Sequence, residues 1–90
     1  MKKFIIEREL PGAGNMTEEE LQAISKTSNS VVSVLGKPYK WIESYVTKDK
    51  IYCIHEAESE DVIMEHASCA SFPANRIEEI KAIINPATAD

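Results

Sequence analysis

The chain has 90 residues, with ten basic and fifteen acidic side chains and a formal charge of −5. That length describes one domain over residues 1–90, and a chain so short buries only about 60–65% of its unfolded surface. The acidic balance opposes nucleic acids and anionic membranes as partners and favours cations, and no apolar run approaches the roughly 20 residues of a membrane span.

Residues 3–9 have strand character, with Phe4, Ile5 and Ile6 leading into Glu7-Arg8-Glu9. The apolar run after Met1-Lys2-Lys3 is too short for an export signal. The protein is therefore expected in the cytoplasm, with Cys53 and Cys69 as reduced thiols. Pro11, Gly12 and Gly14 supply the breakers of a loop. Thr17 is placed to cap the helix that follows. Glu20 completes a capping box, and Met16 with Leu21 has the spacing of a hydrophobic staple. Leu21, Ile24, Ser28, Val31 or Val32, and Leu35 lie along one stripe, and Gly36 with Pro38 ends the helix. Its centre, residues 25–30, is poor in helix formers, so packing must hold it.

Residues 41–56 form two strands around a tight turn at Lys48-Asp49. With Thr47 opposite Lys50, one face carries Ile42, Ser44, Val46, Ile51, Cys53 and His55. The other carries Trp41, Glu43, Tyr45, Tyr52, Ile54 and Glu56. A second helix starts at Ser59, with Val62, Ile63, His66, Ala67 and Ala70 on its buried side. Phe72-Pro73-Ala74-Asn75 ends it, residues 76–84 read as a last strand with Ile80, Ala82 and Ile84 on one face, and residues 86–90 form a flexible tail. The order is βαββαβ, the ferredoxin-like α+β arrangement of a four-stranded antiparallel sheet with two helices on one face. Its aromatic face is then left for a second copy to cover.

Three groups of residues are candidates for chemistry. Glu43 and Glu56 share the aromatic face with Trp41, Tyr45 and Tyr52, and Glu7 joins them if the first strand points that way. A carboxylate desolvated among aromatics is raised toward the range of a general base; the competing reading pairs these acids with Arg8, Lys40 or Arg76. His66 and Cys69 are three apart on a helix, which is half of a metal site. The competing reading makes His66 an interior histidine bonded to a backbone carbonyl or a carboxylate, and Cys69 a small buried hydrophobe. His55 is expected near the rim, partly solvated. The glycine loop lacks the lysine of a phosphate cradle, no nucleophile motif is present, and the acidic charge opposes an RNA-recognition module.

The segments Phe4-Ile5-Ile6-Glu7-Arg8-Glu9-Leu10-Pro11-Gly12, Trp41-Ile42-Glu43-Ser44-Tyr45-Val46, Lys50-Ile51-Tyr52-Cys53, Glu65-His66-Ala67 and Phe72-Pro73-Ala74-Asn75-Arg76-Ile77 carry a resemblance. Together they resemble a bacterial family of small proteins of unknown function, one branch of which is described as nickel-binding. The resemblance implies a ferredoxin-like protomer that forms a homodimer through its sheets, as in dimeric α/β barrels. It marks Glu7, Trp41, Glu43, Tyr45, Tyr52 and His66 as pocket candidates. The leading expectation is a cytoplasmic homodimeric binding protein, holding nickel or another divalent transition metal through His66 or His55 with nearby carboxylates. The alternative is a cofactor-independent enzyme, isomerase-like or monooxygenase-like, acting on a small organic substrate. Glu7 or Glu43 would then be the general base, and Tyr45 or Tyr52 would orient the substrate.

Overall fold

The computed structural model describes residues 1–90. The first strand, β1 (Lys2–Glu9), is paired along both edges and therefore forms the spine of the sheet. A long helix, α1 (Glu18–Leu35), follows it, then the hairpin of β2 (Tyr39–Val46) and β3 (Lys50–Ala57). The chain continues into α2 (Glu60–Ala70) and β4 (Arg76–Glu79). The sheet order is β2-β3-β1-β4 with antiparallel neighbours, which is the ferredoxin-like topology. Both helices pack on the face that carries Phe4 and Ile6 from β1 and Ile51, Cys53, His55 and Ala57 from β3.

Local chemistry starts and stops these elements largely as the sequence expects. Thr17 accepts from the Glu20 backbone N–H while the Glu20 carboxylate accepts from the Thr17 N–H, so both halves of the capping box form. Gly36 ends α1 in the left-handed region at φ 63°. Ser59 occupies the N-cap of α2 but its hydroxyl makes no capping bond, which leaves Glu60 and Asp61 to complement the helix dipole. The hairpin closes as expected, with the Thr47 N–H donating to the Lys50 carbonyl at 2.8 Å.

Three expectations are corrected. A β-bulge interrupts the β2–β3 ladder at Ile42, so Trp41 lies opposite His55 while Glu43 lies opposite Ile54. The extra residue turns Trp41 to the helix-covered face, away from Tyr45 and Tyr52. The last strand ends at Glu79 rather than running to residue 84. Its partner explains this: β4 pairs with β1 from Arg76 opposite Glu7 to Glu79 opposite Phe4, and β1 itself begins at Lys2, so little strand remains to pair with. Ile83 and Ile84 are exposed beyond it, and Pro86–Ala89 form a 3-10 turn capped by Asn85. Finally, Cys69 is exposed while His55 is wholly buried, the reverse of the sequence reading.

A second 3-10 turn, Ala13–Asn15, packs directly on the hairpin turn, with the Gly14 N–H donating to the Lys48 carbonyl at 2.9 Å. A Cβ at Gly14 would lie 3.0 Å from Lys48 Cα and 3.1 Å from the Thr47 oxygen, both backbone atoms that cannot swing aside. Gly14→Ala should therefore cost about 1–3 kcal/mol as an overpacked contact. Urea denaturation followed by circular dichroism measures it; an unchanged midpoint would mean that the two turns separate freely.

Candidate ligand cavity

Short side chains on α1 leave space beneath it. Ser25 and Ser28 face Ser44 of β2 and Cys53 of β3 across a cavity of about 190 Å³. Leu21, Ile24, Val46, Ile51, Phe72 and Pro73 supply its apolar walls. Trp41 lines it as well, held by its indole N–H donating to the Ser44 hydroxyl at 2.9 Å. Bulkier residues at the serine positions of α1 would close this space by ordinary core packing.

Arg8 also lines the cavity, and its burial is the unusual feature. Alternation along β1 sends Phe4, Ile6 and Arg8 to the same helix-covered face. Arg8 is 5% exposed. Its Nη1 donates to the Pro73 carbonyl at 2.6 Å, and its Nε donates to the Cys53 sulfur at 3.4 Å. The guanidinium carbon stands 5.5 Å from the centre of the Phe72 ring, within reach of a cation–π contact. No carboxylate pairs with it, and none lines the cavity. Arginine is almost never buried without a charged partner, because desolvation costs several kcal/mol per ion.

Beside Arg8 lies a buried chain of rings. The Tyr39 hydroxyl bonds His55 Nδ1 at 2.5 Å, and the two rings meet edge to face. Tyr39 stacks on His66 with centroids 4.9 Å apart. His66 Nε2 stands 3.3 Å from both the hydroxyl and the carbonyl of Ser28. A carbonyl only accepts, so Nε2 carries the His66 proton and Nδ1 is a bare acceptor. That Nδ1 is the one buried side-chain nitrogen or oxygen with no partner. Tyr39 has no other acceptor for its proton, so it donates to His55 Nδ1 and leaves the proton of that imidazole on Nε2.

Burial sets the protonation of all three groups. It pushes the Tyr39 hydroxyl well above its ordinary range. It lowers His55 to about 3, helped by His66 and the Arg8 cation. It also lowers His66, against the raising effect of the Ser28 backbone. Both imidazoles are neutral at pH 7. His66 thus follows the interior reading, bonded to a backbone carbonyl, while His55 is not at the rim.

The carboxylates singled out from sequence stand on the other face of the sheet. Glu7 pairs with Lys50 at 3.5 Å and Glu56 with Lys3 at 3.8 Å, rather than with Arg8, Lys40 or Arg76. Glu43 is exposed, and its carboxylate raises the Tyr45 hydroxyl. Tyr45 is 53% exposed, and Tyr52 lies opposite it in the ladder. Of the six pocket candidates, only Trp41 lines the cavity; His66 sits in the ring chain next to it. Sequence reasoning passed over Arg8 and Tyr39. The alternation from Phe4 to Arg8 was a sufficient indication for the first, and Ser28 already stood on the apolar stripe of α1.

A family model described as "Nickel responsive protein SCO4226-like" matches residues 4–80. The chain belongs to that family. Comparison with curated proteins finds no match. Among solved structures, the crystal structure of SCO4226 from Streptomyces coelicolor A3(2) superposes with a TM-score of 0.77 at 16% identity, over 91% of this chain and 99% of that one. The likeness at this identity is one of fold, and it agrees with the ferredoxin-like topology and with the family resemblance carried by the sequence segments.

The family's description raises the question of nickel, whose ligands are imidazole, thiolate and carboxylate. No three histidine, cysteine, aspartate or glutamate side chains converge on a common point. His55 and His66 have centroids 5.3 Å apart, but Tyr39 occupies His55 Nδ1. The Arg8 charge that depresses both imidazoles also repels a dication. The histidine pair does not fit a nickel ion held within one chain.

The buried histidines imply an acid-sensitive fold. With both folded-state values below the ordinary 6.5, the unfolded chain binds the protons first. For His55, stability is then complete above about pH 7 and falls by up to ~1.4 kcal/mol per pH unit as the pH drops from 6.5 toward 3, and His66, also lowered, adds to the loss below 6.5. Urea midpoints at pH 7, 6 and 5 test this above the range where most carboxylates titrate. A midpoint that stays level, or a slope unchanged in a folded His55→Asn variant, would contradict it.

Proposed function

We propose that this chain is a small-molecule binding protein that works as a homodimer. The cavity under α1 is its ligand chamber and the uncovered sheet face is its subunit contact. The observation that carries the reading is the cavity itself: apolar walls around a buried, uncompensated Arg8 in a chain whose core is otherwise thin.

The uncovered face supports the dimer. Ile5, Tyr52 and Ile54 form its apolar centre, with the Lys3–Glu56 and Lys50–Glu7 pairs beside them. Apolar groups at the centre with charged groups around them match the anatomy of a subunit interface. In this reading Glu7, Glu43 and Tyr45 serve the contact rather than acid–base chemistry, since they lie on the face opposite the cavity. Nickel held by His55 and His66 has the family description behind it and the donor set against it.

Two measurements test the reading. Trp41 is the sole tryptophan and lines the cavity, so its emission reports occupancy. Benzamide, a neutral ring-sized probe, should shift that emission in wild type but not in Ser25→Leu, which fills the chamber from α1. No response in wild type either to benzamide or to its anionic analogue benzoate would overturn the chamber. The same titration with nickel on tag-free protein should show no histidine-dependent uptake, and uptake lost in both His55→Ala and His66→Ala would reinstate the metal site. In sedimentation, wild type should run as a dimer and Ile54→Lys as a monomer. A monomeric wild type at micromolar concentration would refute the subunit contact.

A further inference from the structure

We infer that the cavity takes a small monocarboxylate with an apolar, ring-sized body, its carboxylate meeting the Arg8 guanidinium. This rests on the cavity's being the binding chamber and adds the class of ligand. Arg8 has five N–H donors, and its protein partners, the Pro73 carbonyl and the Cys53 sulfur, are neutral. They satisfy two directions of the fork without cancelling its charge. The chain has fifteen acidic residues, yet none reaches the cavity. An external carboxylate supplies the missing charge in the geometry that guanidinium matches best, two parallel N–H···O bonds.

The surroundings fit the same occupant. His55 lines the cavity beside Arg8, and the Tyr39 bond leaves its proton on Nε2, a second donor type for an anion. Neither imidazole is a rival cation, because burial keeps both neutral. Leu21, Ile24, Val46, Ile51 and Phe72 receive an apolar body. An apolar cavity of about 150 Å³ holds benzene, and this one measures about 190 Å³, enough for a ring carrying one carboxylate. Arg8 is the only cationic side chain in the lining, so the second charge of a dicarboxylate or a phosphate dianion would be desolvated without a partner.

Benzoate against benzamide tests the claim, since the two differ in charge and little in shape. Trp41 emission at pH 7 should show wild type binding benzoate at least about tenfold more tightly, the difference expected for a charge-assisted bond. Arg8→Lys should keep a smaller preference, and Arg8→Gln, checked for folding by circular dichroism, should abolish it. Because the wild-type comparison needs no variant, it decides alone if Arg8→Gln does not fold. Equal affinity for the two probes overturns the carboxylate inference and leaves the chamber standing. Silence from both overturns inference and chamber together. A benzoate preference that survives in folded Arg8→Gln, or binding unaffected by Ser25→Leu, places the anion elsewhere and also overturns it.

Discussion

The burial of Arg8 organises this protein more than any apolar contact does. A guanidinium inside a 90-residue domain sits where charge is costly to desolvate. The protein offsets that cost with neutral acceptors: the Pro73 carbonyl, the Cys53 sulfur and the face of Phe72. Those three come from the segment after α2 and from β3, so one side chain of β1 ties the far end of the second helix to the sheet. The same charge depresses both neighbouring histidines and faces the cavity.

The Tyr39–His55–His66–Ser28 chain depends on that arrangement. Its polar atoms lie in the interior where each unmade bond is expensive, and within the protein only His66 Nδ1 and His55 Nε2 are left without a partner. It joins β2, β3, α2 and α1 through two hydrogen-bonded pairs, Tyr39–His55 and His66–Ser28, bridged by the Tyr39–His66 ring stack. A packed polar chain of this kind specifies a single arrangement of helices on the sheet more narrowly than apolar contacts alone. The cavity is the complement of that precision: α1 is held at a fixed distance by Ser28 on His66, and its neighbouring short side chains leave the space open.

The two faces of the sheet therefore divide the work. The helix-covered side holds Arg8, the histidines and the proposed ligand; the uncovered side holds the paired acids and the proposed second copy. Glu7 and Arg8 are adjacent in sequence and point to opposite faces, which is the alternation of a strand acting on function. The Ile42 bulge moves one residue across that divide. Trp41 would otherwise share a surface with Tyr45 and Tyr52, and instead it becomes a wall of the cavity.

Signals that act over a few residues were legible in the chain. The capping box at Thr17 and Glu20, the stop at Gly36 and the hairpin pairing of Thr47 with Lys50 depend on neighbours three or four positions away, and the element order leads from them to the ferredoxin-like fold. The resemblance segments likewise sufficed for the family. What only the tertiary structure decided depends on partners far along the chain. Where β4 ends was set by the end of β1, and which side Trp41 takes was set by the ladder with β3. The burial of His55 and the exposure of Cys69 were set by how the helices lie on the sheet. The cavity is the extreme case, since Arg8, Ser28, Trp41, His55 and Phe72 converge from distant positions, and no local pattern encodes how short serines on one element face small residues on another.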